Sequence, residues 1–267
     1  MKLRYITCSD PREFNDIRDI VKMGQISPRV EIAVQAHPSK MSSGMPRSVW
    51  FHDLLRYLMS NGYGVNLAIH VNCEWCDQIC RTGSLPAELK YAFDAIYSSS
   101  RKPVVKRWQL NMPHQTADNI NAGALADLIQ NHPDKEFILQ YNENTRGAVE
   151  KLYNTDVKFS VLYDASGGRG ILPGAWRSPV FENRSQGYSG GLSPENIEYN
   201  LNKIAVVTKT PVATTDTNGE TVYTVKERND IWIDAEGKLK TDDRFDIARA
   251  RQYIMNAENW LAKQNQR

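Results

Sequence analysis

Residues 157–176 read VKFSVLYDASGGRGILPGAW. The apolar run Val157–Tyr163 delivers a carboxylate, Asp164, into a glycine-rich loop that closes on Trp176. A strand that ends this way is either turning a corner or forming the rim of a site. The rest of the chain decides between them.

Seven further short β-rich runs surround this one: 3–8 (LRYITC), 30–37 (VEIAVQAH), 64–71 (GVNLAIHV), 104–110 (VVKRWQL), 136–141 (EFILQY), 185–189 (SQGYS) and 230–235 (DIWIDA). Most of the segments between them carry apolar residues at helical spacing, for example SVWFHDLLRYLMSNG, DNINAGALADLIQNHP, SPENIEYNLNKIAVV and FDIARARQYIMNAENWLAK. Near-continuous apolar strands alternating with helices predict a parallel sheet covered by helices, and eight such units are what a (β/α)8 TIM barrel requires. A doubly wound open sheet is the competitor, but it gives no reason for the count to stop at eight. The expectation is one domain over 1–267. One segment breaks the rhythm: at about 211–229, β-branched and aromatic residues flank Asn218-Gly219, which predicts an inserted β-hairpin before the eighth strand.

Composition narrows the function. The chain has 267 residues, 24% charged and 41% hydrophobic, with 33 basic against 31 acidic side chains. A net charge of +2 offers no field for nucleic acid or an anionic membrane, so a small-molecule partner is expected. No apolar run approaches the roughly 20 residues of a membrane span, and MKLRYITCSD lacks a signal-peptide core, so a cytoplasmic location is expected. Four cysteines in a chain this long predict reduced thiols. In HVNCEWCDQIC, Cys73, Cys76 and Cys80 have spacings compatible with a zinc or iron–sulfur site; they also lie three and four apart, as on one packed helix face. The second reading is preferred, and neither metal nor organic cofactor is expected.

In such a barrel the site lies at the C-terminal ends of the strands. That criterion selects Cys8, Arg47 in the loop after the second strand, His70, Asn111 with His114 close by, Asp164, Gly167 and Gly168, Gly190 and Gly191, and Asp234, Glu236 and Gly237. The two glycine pairs suggest phosphate binding, because glycine lets backbone N–H groups approach an anion closely. His70 is read either as a pocket hydrogen-bonding group or as a satisfied structural histidine.

Together these segments resemble phosphoribosylanthranilate isomerase. The specific pieces are the aspartate and Gly-Gly-x-Gly loop after strand six and SGGLSPEN (189–196) after strand seven. RYITC, HPSK…GMPRS, WQLN and IWIDAEGKLK…DRFDIARARQYI agree in order with that family's strands one, two, four and eight. The resemblance implies an Amadori-type aldose-to-ketose rearrangement of a phosphorylated sugar or nucleotide-like substrate, with Asp164 as general acid, Cys8 as general base and Arg47 as the loop-two arginine. Several positions depart from the pattern. ITCSD can be aligned one residue either way, which leaves Thr7 as an alternative to Cys8; Asn111 replaces histidine; and Ala235-Glu236-Gly237 replaces Ser-Ser-Gly, placing a carboxylate where phosphate would sit. The alternative function is a catalytically altered barrel that binds a small phosphorylated ligand or a protein partner.

Overall fold

The computed structural model describes residues 1–62, 64–112, 117–215, 221–227 and 230–266. Eight parallel strands close into a barrel: β1 (Leu3–Ser9), β2 (Val30–Ala36), β3 (Asn66–Val71), β4 (Val105–Leu110), β5 (Glu136–Tyr141), β6 (Ser160–Tyr163), β7 (Gln186–Ser189) and β10 (Ile231–Ala235), with β10 pairing back onto β1. Between β7 and β10, β8 (Lys209–Thr215) and β9 (Thr221–Glu227) form a separate antiparallel hairpin, in register from Lys209↔Glu227 to Thr215↔Thr221. The barrel and its hairpin insertion thus stand as the sequence predicts. The Asn218-Gly219 turn and His114 lie outside the described residues.

Boundaries shift where side chains compete with the regular ladder. The first helix begins at Ile17, because Asp16 is extended and its carboxylate caps the N–H of Arg18. The sixth strand pairs only from Ser160, opposite Ile138. Residues 164–185 then run to β7 with no helix.

Alternation along each strand sends one set of side chains to the helix layer and the other into the lumen. The large core between sheet and helices includes Ile6, Cys8, Val34, Trp108 and Tyr188. The lumen holds a second apolar cluster of Ile138, Leu162 and Trp232, with Tyr5 against it. Gly187 faces this cluster of necessity: a Cβ there would lie 2.1 Å from Trp232 Cε2. At the same depth, the buried Arg107 guanidinium lies over the rings of Tyr5 (4.5 Å) and Trp232 (4.3 Å) and donates to Glu31 at 2.6 Å. Its Nε is 3.4 Å from Glu136, which also pairs with Arg4 and accepts from the Ser160 hydroxyl. This apolar and ionic plug closes the barrel below the strand ends, so the site above it has a solid floor.

Candidate active site

Above the plug, the next lumen-facing residues are polar, and they surround a cavity of about 140 Å³. Strand-end carboxylates define it. Asp164 leaves β6 and Asp234 lies in β10, and between them runs β7 with Ser189, paired with Asp234 across the ladder. His70 and Gln35 form the opposite wall.

The two carboxyl groups have different environments. Asp234 is buried, and burial pushes its carboxyl up to about 7; Glu31 and Asp164 push in the same direction, while the Ser9 hydroxyl, donating at 2.6 Å, and Arg107 pull it down. Asp164 is also buried but accepts four hydrogen bonds: from Ser166 N–H (3.0 Å) and hydroxyl (2.7 Å), from Gly168 N–H (2.6 Å) and from the Gln140 amide (2.8 Å). Both of its oxygens therefore act as acceptors. Asp164 is a loop-organising carboxylate facing the cavity, and Asp234 is the carboxyl group that burial keeps protonated into the neutral range.

His70 is 4.0 Å from Asp234 through Nε2, and burial pushes its ring down to about 4. The Gln35 amide donates to its Nδ1 at 3.3 Å, leaving the ring proton on Nε2 facing Asp234. Gln35 also donates to Glu236 (2.8 Å), whose other oxygen accepts from Lys240 at 3.0 Å. Glu236 is therefore paired, and its charge is offset within the wall.

Of the residues selected from sequence, His70, Asn111, Asp164, Gly168, Gly190, Gly191, Asp234, Glu236 and Gly237 line this one cavity. Gly167 and Arg47 line an adjoining cavity of about 410 Å³, which shares Gln35, Asn111, Gln140, Gly168 and Glu236 with the first. Arg47 is buried against Asp10 (3.3 Å) and Glu13 (3.6 Å), and Asp10 also binds Arg12 and Lys240.

Two expectations need correcting. Cys8 is not placed to act as a base: it sits on the helix-facing side of β1 with no exposure, and burial together with Asp234 and Glu31 pushes its thiol far up, the reverse of what a thiolate needs. Thr7 does face the lumen, but its hydroxyl donates to Glu31, which Arg107 also binds, down in the plug (2.8 Å). The strand-one group at cavity level is Ser9. The glycine pair after β7 has a packing reason as well: Cβ atoms at Gly190 and Gly191 would meet Ile171 O at 2.8 Å and Leu172 N at 2.7 Å, so the pair lets the strand-six loop lie directly on the strand-seven loop. Cys76 and Cys80 are buried on one face of the helix Cys73–Thr82, Sγ to Sγ 3.9 Å, whereas Cys73, expected on the same face, is half-buried and turns its sulfur to His37.

Gln35, Gln140 and the cation Arg169 at the cavity wall escaped the sequence reading. A signal for the strand residues was present. Glu31, Ala33 and Gln35 alternate with apolar neighbours in β2, as Arg107 and Gln109 do in β4, which marks a lumen face.

The fold and site define a single (β/α)8 barrel with a polar, carboxylate-centred cavity at the C-terminal ends of its strands. A scan of protein-family models gives no match for this chain, and a search of curated proteins gives none either. Among the described residues no helix is long and apolar enough to cross a membrane.

Proposed function

We propose that the barrel is an acid–base isomerase that converts a small phosphorylated aldose derivative to the ketose by an Amadori-type rearrangement. The observation that carries this reading is the pair of buried strand-end carboxyl groups on one small cavity, of which burial pushes Asp234 up to about 7 while Asp164 accepts four hydrogen bonds. Two carboxyl groups with different partners can supply an acid and a base from the same residue type. Asp234 gives its proton to the sugar ring oxygen; the ring opens to the iminium. Asp164 takes the C2 proton, the iminium accepts the electron pair, and an enolamine forms. The enolamine tautomerises to the ketone as a proton returns to C1. The acid role expected of Asp164 thus passes to Asp234, and Asp164 takes the role expected of Cys8. The neutral His70 and the amides of Gln35 and Gln140 suit sugar hydroxyls, and Arg169 and Lys238 suit the phosphate.

The second reading, a barrel that binds a phosphorylated ligand without turnover, is favoured by the four donors that already occupy Asp164. One experiment separates the two. The protein is incubated in heavy water with phosphoribosylanthranilate and with a panel of pentose and hexose phosphates, and loss of the C2 proton signal is followed by NMR. Exchange or ketose formation that disappears in Asp234→Asn supports the isomerase. Ligand-induced thermal stabilisation with no exchange supports the binding barrel, and neither effect with any sugar phosphate sinks both.

A further inference from the structure

The adjoining cavity contains chemistry that the acid–base reading leaves unused. Cys73 opens the helix Cys73–Thr82, and its sulfur lies 3.0 Å from His37 Nε2, at the end of β2. The backbone N–H of Ser39 donates to His37 Nδ1 at 3.2 Å, and this fixes the tautomer. A nitrogen that accepts from a main-chain N–H carries no proton, so the ring proton sits on Nε2 and points at Cys73 Sγ. A sulfur that accepts this bond is stabilised by it once it carries the thiolate charge. Partial burial and Glu74 push the thiol up and outweigh the opposing pull of Lys40, so the resting group is the thiol and the His37 N–H serves the thiolate when it forms. Cys73 itself is held at φ 53, a left-handed conformation unusual for a side-chain-bearing residue. Cys8, Cys76 and Cys80 have no exposure, whereas Cys73 is partly exposed and lines the cavity together with Lys40 and with Arg12 and Arg47, the two arginines being paired with Asp10, which lines it as Glu236 does.

We propose that Cys73 and His37 form a thiol-modification site that takes small anionic disulfides. The Cys73 thiol gives its proton to solvent, and the thiolate so formed, held by the His37 N–H, attacks one sulfur of the disulfide. A new S–S bond forms to Cys73, the original S–S bond breaks, and its electron pair leaves with the second sulfur as a free thiolate. Lys40, the cation that acts on the Cys73 thiol, and the excess of three cations over two carboxylates on the wall draw an anionic reagent in and disfavour a cationic one. The adduct occupies the cavity that continues past Gln35, Asn111 and Gly168 to the two carboxyl groups. Blocking of the isomerase site by the adduct rests on the function proposed above; the thiol chemistry does not.

The test titrates the native full-length protein with dithiobis(nitrobenzoate), an anionic disulfide, and with cystamine, a cationic one, and locates the adduct by peptide mapping. Cys73 is expected to react first, about ten-fold or more faster with the anionic reagent after correction for each reagent's rate with free cysteine. Cys73→Ser removes the fast phase. His37→Asn keeps a capping oxygen for Ser39 N–H but lacks the N–H aimed at sulfur, and is expected to slow the reaction about ten-fold with the circular dichroism unchanged. First modification at Cys8, Cys76 or Cys80, equal corrected rates with the two reagents, or an unchanged rate in His37→Asn would each overturn the assignment. None of these readings depends on turnover, so failure here and failure of the isomerase reading are separate results.

Discussion

Asp234 ties the proposed chemistry to stability, and the sign of the linkage is fixed. Its folded carboxyl titrates at about 7, while an unfolded aspartate titrates near about 3.9. Between those values the native state keeps a proton that the unfolded chain has released, so this group's contribution to stability falls as pH rises from about 4 to about 7 and then levels off. Asp234→Asn removes that cost. Relative to wild type, the variant is expected to be equally stable at pH 4 and more stable at pH 8, by on the order of 2–4 kcal/mol, while turnover is lost. Thermal denaturation of both proteins across the interval checks this, and a gap independent of pH would refute it. Asp164 predicts the opposite behaviour. Asp164→Ala strands four donors, two of them on the loop backbone, and is expected to cost about 2–4 kcal/mol and to open the loop around residues 165–172 to proteolysis at neutral pH.

At the scale of elements, the glycines of β7 and its loop have distinct duties. Gly187→Ala drives a methyl group into the Trp232 indole, which cannot retreat because Arg107 lies over its ring. The expected loss is about 3 kcal/mol or more, read as a lowered denaturation midpoint. Gly191→Ala, at φ 67 and against Leu172 N, is expected to displace the strand-six loop, with a smaller loss of stability and weakened sugar-phosphate binding. Sequence legibility follows the same division. The order of strands and the hairpin could be read because each rests on local pattern: period-2 or continuous apolar runs, helical spacing, an Asn-Gly pair. The position of the cavity followed from the fold rule that places sites after the strands. Which face of β1 carries the chemistry could not be read, because Thr7, Cys8 and Ser9 differ by one residue and alternate between lumen and helix layer, and only the pairing with β10 fixes that phase. Nor could the groups that act on the buried Asp234 carboxyl, because Glu31, Arg107 and Ser9 lie on three other strands.

Across the whole molecule, the plug and the site form one electrostatic unit. Arg107 neutralises Glu31 in the lumen and also pulls Asp234 down, while Glu31 pushes Asp234 up. Glu136 has Arg4 and Ser160 as further partners, whereas one oxygen of Glu31 is buried without a partner, so Glu31 is the group that depends on Arg107. Arg107→Met is therefore expected to destabilise the barrel by about 3–5 kcal/mol, since it leaves a buried carboxylate uncompensated. Adding Glu31→Gln should restore much of that loss, because the uncompensated charge goes with it. The same substitutions should move the site in opposite directions. Arg107→Met raises the Asp234 titration above its wild-type midpoint, Glu31→Gln lowers it, and the double variant falls between them. Carbon NMR titration of the Asp234 carboxyl reads these shifts without needing the substrate, and the alkaline limb of any isomerase activity should move with them. Midpoints that stay fixed across all three variants would mean that the plug supports the cavity mechanically and leaves the protonation of Asp234 to burial alone.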